Sequence, residues 1–235
     1  MNIAEFFQLA LAIIWHGDHD LIEVVGLSLF VSLSAVGLAA LIGVPLGGLL
    51  ATARFPGRAV VIVLINALMG LPPVVVGLMI YLLLSRAGPL GVFGLLYTPT
   101  AMIIAQMVLI LPIITALTRQ TVEHLSRAYD EQLHLFGLKP FERTRTLIFD
   151  GRFELLTAVL AGLGRAMAEV GAVIIVGGNI DHFTRVMTTA ITLETSRGNL
   201  VLALALGVIL ITLTVIINAV VVVLRWWGER RYGLD

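Results

Sequence analysis

Long apolar stretches constrain this chain more than any other feature of its sequence. A helix needs about 20 consecutive apolar residues to cross a bilayer. Five stretches meet that length, and they cover residues 21–53, 59–84, 98–118, 153–177 and 200–224. With 59% hydrophobic and 13% charged residues, a 235-residue chain could not bury its apolar surface in a soluble core. The sequence therefore predicts an all-α membrane protein with five transmembrane helices, as one transmembrane domain over residues 1–235.

The segment before the first span is apolar but too short to cross a membrane. Residues 3–15 predict a helix that lies in the interface, with Trp15 at the level of the headgroups. The next residues include side chains of metal-ligating types, which are His16, Asp18, His19 and Asp20. Because no second cluster completes a ligand set, we expect a solvated loop here and no metal site. The chain has no cysteine, which excludes thiolate sites and disulfides.

The distribution of positive charges predicts the orientation. One face would carry eleven basic residues, namely Arg54, Arg58, Arg119, Arg127, Lys139, Arg143, Arg145, Arg152, Arg225, Arg230 and Arg231. The opposite face would carry Arg86, Arg185 and Arg197, while Arg165 falls within a span. Cytoplasmic loops are enriched in Lys and Arg. We therefore expect the N-terminus outside and the C-terminus in the cytoplasm. The formal net charge of zero gives no reason to expect a nucleic-acid partner.

The longest polar interval, residues 127–150, separates the third and fourth spans. Ser126 is a candidate N-cap for a short helix that Gly137 would end. Pro140 would begin a second amphipathic helix. Its apolar side would carry Phe141, Leu147 and Phe149, and its other side would carry Arg143 and Arg145. Such helices lie on lipid headgroups or bind in the groove of a soluble protein, and the residues alone leave both alternatives open.

Two spans contain residues that are unusual inside a membrane. Gly70, Pro72 and Pro73 interrupt the second span, which predicts either a simple kink or a gate element. Arg165 and Glu169 are four residues apart in the fourth span, so on a continuous helix they would share a face. Charges at this depth face protein or a cavity, and the pair could either lock helix packing or line a pathway.

No enzymatic motif is visible in the sequence. The single lysine, Lys139, precedes Pro140, so there is no P-loop to bind ATP. HExxH and Gly-x-Ser-x-Gly motifs are also absent. We therefore expect neither an enzyme nor a nucleotide-binding chain.

The polar interval resembles the cytoplasmic motif of ABC importer permeases. That motif has Glu-Ala-Ala, three residues, Gly, nine residues, Ile, one residue and Leu-Pro. Glu131, Gly137, Leu147 and Phe149 occupy the matching positions. The sequence departs from the motif in three places, which are Gln132, Leu133 and Asp150. The stretches 43–58, 70–91 and 161–180 resemble permeases of molybdate, sulfate and tungstate importers, and residues 184–200 look most like the tungstate type.

This resemblance implies a type I ABC importer permease fold (MetI-like) in a bacterial or archaeal cytoplasmic membrane. It implies a homodimer with two ATPase subunits, which would bind ATP and Mg²⁺, and an extracytoplasmic oxyanion-binding protein. This chain itself would bind no cofactor. Tungstate is the first expectation for the substrate and molybdate the second. The alternatives are sulfate or another small anion, or a stand-alone secondary anion transporter.

The resemblance also implies roles for individual residues. Contact with the ATPase would involve residues of the segment 126–150, namely Tyr129, Asp130, Glu131, Leu133, Phe136 and Gly137. The translocation pathway or its gate would involve Pro72, Pro73, Arg165 and Glu169. A polar loop from 178 to 199 would contact the binding protein through Asn179, Thr184 and Arg185, unless that loop is merely solvated.

Overall fold

The computed structural model describes residues 19–135 and 137–232, apart from the side chains at positions 130, 134, 140, 224, 228, 229, 231 and 232. The predicted interfacial helix at 3–15 lies outside the described residues. Within them the fold is all helical, with no strand. The helices are α1 His19–Thr52, α2 Arg58–Leu68, α3 Pro73–Leu84, α4 Pro99–Ala128, α5 Asp130–Leu135, α6 Pro140–Asp150, α7 Arg152–Met167, α8 Gly171–Gly177, α9 Met187–Ser196 and α10 Leu200–Tyr232, with a 3₁₀ turn at Gly91–Phe93.

The described helices confirm an apolar helical chain but not the exact number of spans. Three helices, α1, α4 and α10, are long and apolar enough to cross a membrane singly. The pairs α2–α3 and α7–α8 pass the same test only when each bent pair is counted as one broken span. The described part of the chain therefore has three to five candidate spans.

Three boundaries differ from the sequence-based prediction. Ser126 does not cap a helix, because α4 continues through it to Ala128. The residues after Pro112 include no further helix breaker, and Glu123 pairs with Arg119 and Arg127 one turn to either side, which stabilises the helix. The helix of the fifth predicted span, 200–224, does not end at residue 224 but continues to Tyr232. The third difference concerns residues 187–196.

The predicted polar loop at 178–199 contains the helix α9. Its hydroxyl side chains misled the prediction, because Thr and Ser are common in loops. Here Thr192, Thr195 and Ser196 each donate a hydrogen bond to the carbonyl four residues earlier, at 3.0, 2.7 and 2.8 Å. These hydroxyl groups are thereby satisfied within the helix and do not compete with it.

The contacts of the chain form two compact units. Among the described residues, the first comprises 19–35, 72–106 and 166–218. Its core includes Met187, Ala190 and Leu206, against which side chains from the start of α1 pack. The backbone N–H of Met187 donates to Ser28 Oγ of α1 at 2.6 Å. In the same unit, α3 and α8 approach so closely that a Cβ on Gly77 would lie 2.7 Å from Ala172 Cα.

The second unit comprises the described residues 36–71, 107–135, 137–165 and 219–232. Here α1 lies against α4 through glycines. A Cβ on Gly47 would lie 2.5 Å from the carbonyl oxygen of Thr115, and one on Gly43 would lie 3.1 Å from Ile114 Cγ2. Small residues allow helices to approach this closely. Gly162 of α7 similarly faces Ile110 of α4.

We predict that Gly47→Ala destabilises the chain by about 1–3 kcal/mol, because the added methyl group meets backbone atoms that cannot move aside cheaply. Gly37→Ala on the same helix is the matched control, since nothing lies within 4 Å of its added Cβ. Thermal unfolding of the purified chain in detergent measures both. Equal melting temperatures for the two variants would contradict the close packing of α1 on α4.

Candidate functional site

The polar interval is built on a small buried cluster. Val122 of α4, Leu133 of α5 and Leu147 of α6 form its centre. Partly buried apolar side chains pack around them, namely Ala51, Leu125, Leu138 and Ile148. The two short helices are therefore anchored on α4 and on the end of α1, all within the second unit. We call residues 126–150 the coupling segment and these three residues its support cluster.

A glycine turn separates the two short helices. Gly137 has φ +62°, a left-handed conformation that suits glycine, and open space surrounds the position of a Cβ. Lys139 is extended, and its backbone N–H donates to Glu142 Oε2 at 3.1 Å. Pro140 then occupies the first turn of α6, where its missing N–H costs no helical hydrogen bond. This confirms the predicted start of the second helix.

Polar contacts hold α6 in place as well. The hydroxyl oxygens of Thr144 and Thr52 lie 2.6 Å apart and share a hydrogen bond. Arg143 Nη2 donates to Ser126 Oγ at 2.8 Å. Both bonds are long-range in sequence, so they fix α6 to the ends of α1 and α4. The segment is consequently a packed part of its unit.

The opposite side of the segment exposes large apolar residues. Leu135, Phe141 and Phe149 are 87%, 72% and 64% exposed. The guanidinium group of Arg152 lies 4.4 Å from the ring centre of Phe149, next to a groove lined by Glu142, Arg145 and Thr146. Exposed apolar side chains on an anchored scaffold are typical of a protein or membrane contact.

The structure divides the predicted coupling residues into two groups. Tyr129, Glu131 and Gly137 are exposed, whereas Leu133 is buried in the support cluster. The side chain of Asp130 and all of Phe136 lie outside the described residues.

The predicted sides of α6 are also wrong in part. Leu147 points inward, while Phe141 and Phe149 are exposed. Arg143 is half-buried against Ser126, whereas Arg145 is exposed. The physical reason is that α6 packs on α4 and α1 through Leu147 and Thr144, which a helical pattern alone does not reveal.

The predicted gate residues lie at two breaks. Pro72 and Pro73 stand at the start of α3, directly after the break between α2 and α3. Arg165 is in the last turn of α7, but Glu169 lies in the non-helical stretch 168–170. The expectation that both share one helix face is therefore wrong, because the helix ends at Met167.

Glu169 explains the second break. Glu169 is 2% exposed, and its Oε1 accepts the backbone N–H of Ala172 at 3.0 Å, which satisfies one of the free N–H groups in the first turn of α8. Its carbonyl oxygen accepts a hydrogen bond from the hydroxyl of Thr188 at 2.8 Å. These contacts replace the helical hydrogen bonds that the break removes.

Gln106 is a polar residue that the sequence analysis missed. It is buried in α4, and its Nε2 donates to the carbonyl oxygen of Ala166 at 3.2 Å, beside the end of α7. Its Oε1 has no hydrogen-bond partner among the described residues. A lone Gln in an otherwise apolar stretch was the signal that could have identified it.

The loop before α9 holds the predicted binding-protein contacts. Thr184 is fully buried, and its hydroxyl donates to the carbonyl of Gly177 at 2.6 Å and accepts the N–H of Ile180 at 2.9 Å. Thr184 therefore shapes the loop from inside. Asn179 has a positive φ of 51°, and Arg185 is paired with Asp181. A contact through this loop remains a prediction.

His182 ties this loop to the start of α1. Its Nδ1 lies 2.8 Å from Glu23 Oε2. The hydrogen bond to Glu23 and the nearby charge of Asp181 raise the pKa of His182 above its ordinary value. No group of three or more potential metal ligands occurs among the described residues, and His19 and Asp20 are the first two residues of α1.

We predict that Leu147→Ala lowers the free energy of unfolding by about 2–5 kcal/mol, because Leu147 is fully buried in the support cluster. Phe149→Ala, two residues further on the same helix, removes an exposed ring and is the matched control. Thermal unfolding in detergent measures both variants. If both variants lower the melting temperature equally, α6 is not packed through Leu147 as described.

A second prediction concerns pH. The raised pKa of His182 means that the protonated side chain stabilises the fold below pH 6.5, and that this contribution is lost as the pH rises through the folded-state pKa. The wild type should therefore melt at a higher temperature than His182→Asn. This difference in melting temperature should be largest at acidic pH and should shrink above pH 6.5. Asn tolerates the positive φ at this position. As a control, the same His182→Asn substitution in a chain that also carries Glu23→Gln should change the melting temperature by an amount that depends less on pH. If His182→Asn alone changes the melting temperature equally at every pH, the ion pair with Glu23 is contradicted.

Comparison with known proteins places the chain among transporters. Residues 43–226 match the family described as "Binding-protein-dependent transport system inner membrane component". A "Probable anion ABC transporter permease protein" from Haloferax volcanii is 41% identical over 85% of this chain and 88% of its own length.

Two further relatives carry a substrate in their names. The "Tungstate uptake system permease protein TupB" of Peptoclostridium acidaminophilum is 38% identical over 93% of this chain and 96% of its own length. The protein of the same name from Campylobacter jejuni is 37% identical over 92% of this chain and 90% of its own length. Family match and relatives agree with the resemblance found in the sequence. The chain belongs to the family of binding-protein-dependent transport system inner membrane components, among the ABC importer permeases of the anion group.

Proposed function

We propose that this chain is the membrane-spanning subunit of an ATP-driven importer that carries an oxyanion from a binding protein to the cytoplasm. Tungstate is the proposed substrate, because two relatives of similar length are named for its uptake. Molybdate is the second candidate. The working assembly would hold two copies of this chain, two ATPase subunits, and an extracytoplasmic binding protein. The chain would have its N-terminus outside and its C-terminus in the cytoplasm of a bacterial or archaeal inner membrane.

One observation carries the proposed coupling to the ATPase. The coupling segment presents exposed apolar residues, Leu135 and Phe141, on either side of the Gly137 turn, while the support cluster fixes it from behind. An amphipathic helix with this division can bind in the groove of a soluble partner. Because the chain has no P-loop, ATP and Mg²⁺ would be bound by that partner. This chain would hold no cofactor and catalyse no reaction.

The proposed pathway follows the two helix breaks. Pro72 and Pro73 stand at one break and Glu169 at the other, with Arg165 in the helix before it. Irregular backbone at membrane depth is tolerated where it lines a cavity or is buried in protein. We propose that the breaks allow the helix ends to change position as the ATPase subunits close, which would alternate access to the substrate.

Sulfate is the alternative substrate that a specific observation favours. The sulfate transport permease CysW of Synechocystis is 29% identical over 92% of this chain and 80% of its own length. Tungstate, molybdate and sulfate are all tetrahedral dianions. Discrimination among them would fall to hydrogen-bond donors in the separate binding protein.

Reconstituted transport tests this proposal. We expect uptake of labelled tungstate into proteoliposomes only when ATP, the ATPase subunits and the binding protein are all present. Competition with molybdate and sulfate would rank the substrates. Uptake that continues without ATP would contradict the proposal and favour a secondary transporter.

A pair of glycine substitutions tests the coupling segment through capture of the ATPase subunits by the purified, immobilised chain. We expect Gly137→Asp to weaken capture of the ATPase by about tenfold or more, because it brings an unpaired charge into the apolar contact. The fold should remain intact, since the position has open space and Asp tolerates positive φ. Gly94→Asp is the matched control, with φ +59° and equally open surroundings in the first unit. Full ATPase binding by Gly137→Asp would argue against docking here.

A further inference from the structure

A cluster of three arginines surrounds one carboxylate in the second unit. Arg119 Nη1 lies 2.6 Å from Glu123 Oε2, and Arg127 Nη2 lies 3.0 Å from Glu123 Oε1. Arg58 Nη2 approaches the same Oε1 at 4.0 Å. Arg58 comes from the start of α2, whereas the other three residues belong to α4. We call these four residues the Glu123 cluster.

The charges in the cluster do not balance. Three guanidinium groups carry fifteen N–H donors between them, while a carboxylate offers about four lone-pair sites. Glu123 is the only carboxylate within ion-pair distance of these arginines among the residues that the structure describes. The cluster therefore keeps an excess of two positive charges.

Arg58 and Arg119 are held in place, whereas Arg127 is reachable from water. Arg58 Nε donates to the carbonyl oxygen of Leu50 at 2.7 Å, which anchors its guanidinium group at the end of α1. The side chain of Arg119 is only 14% exposed, while that of Arg127 is 80% exposed. An anion could thus reach the cluster from the side of Arg127 and find donors already positioned.

The cluster lies where apolar sequence ends. Arg119 directly follows the apolar stretch at 98–118, and Arg58 directly precedes the one at 59–84. Basic residues at such boundaries lie at the depth of the phospholipid headgroups. Basic pockets between membrane helices bind anionic headgroups, and guanidinium groups match phosphate oxygens in geometry.

From this excess charge, anchoring and depth, we propose that the Glu123 cluster binds a phosphate-type tetrahedral oxyanion. Either an anionic phospholipid headgroup or a free oxyanion could supply it. In both cases Arg58, Arg119 and Arg127 would donate hydrogen bonds to the oxyanion, and Glu123 would limit its affinity by repulsion. The site goes beyond the proposed transport function and does not depend on it.

The test measures thermal unfolding of the purified full chain in a neutral detergent at low ionic strength. Short-chain phosphatidylglycerol, short-chain phosphatidylcholine and inorganic phosphate are titrated separately. The readout is the concentration that gives half of the maximal rise in melting temperature, measured from the baseline of each variant. A variant that is less stable therefore remains interpretable.

Three substitutions distinguish a binding site from internal ion pairs. Arg127→Gln should bind the oxyanion about fivefold more weakly, since one basic residue near a membrane surface contributes that much. Arg86→Gln changes the net charge equally at an exposed position in the first unit and should leave affinity unchanged. Glu123→Gln removes the repelling charge and should bind more tightly, also by about fivefold.

The two sources give different results. A response to phosphatidylglycerol but not to phosphate assigns the site to a lipid headgroup, whereas responses to both assign it to a free oxyanion as well. Either outcome supports the proposal if Arg127→Gln lowers the affinity for the oxyanion and phosphatidylcholine does not raise the melting temperature. Equal affinity of the wild type and Arg127→Gln, or weaker binding by Glu123→Gln, overturns the proposal and leaves the cluster as internal ion pairs.

Discussion

The membrane interior leaves no backbone polar group without a protein partner, and this constraint governs the breaks in this chain. An unsatisfied N–H or carbonyl group costs several kcal/mol in hydrocarbon. At residues 168–170 the helix ends, yet Glu169 accepts the N–H of Ala172 and receives the hydroxyl of Thr188. Gln106 donates to the carbonyl of Ala166 close by. The buried side chains of Glu169 and Gln106 thus supply hydrogen bonds where the helical hydrogen bonding around residues 168–170 is interrupted.

The coupling segment obeys a different constraint, because it must be both anchored and exposed. Short helices are marginal in isolation, and most of their stability comes from packing. The six-residue helix α5 and the eleven-residue helix α6 meet this need through the support cluster and the hydroxyl pair of Thr52 and Thr144. Their other side is exposed and carries Leu135 and Phe141.

Much of the architecture could be predicted from the sequence, and the failures share a cause. Apolar length predicted α1, α4 and α10, and the prolines predicted the starts of α3 and α6. These signals are local. The burial of Leu133 and the termination of α7 at Met167 depend on residues far away in sequence, such as Val122 and Thr188. The roles of the candidate site residues could be inferred only from the family motif, because spacing alone does not reveal which side of a short helix faces a partner.

The course of α4 after Pro112 has a mechanical consequence. Residues 113–128 extend for about 24 Å at 1.5 Å per residue. Tilting this part of the helix by about 5° about one end displaces its other end by about 2 Å. Ser126, which binds Arg143 of the coupling segment, lies near one end, and Ile114, which faces Gly43 of α1 and Gly162 of α7, lies near the other. A small tilt at the coupling segment therefore becomes an atomic-scale displacement at the glycine contacts of the second unit, without any refolding of this part of the helix.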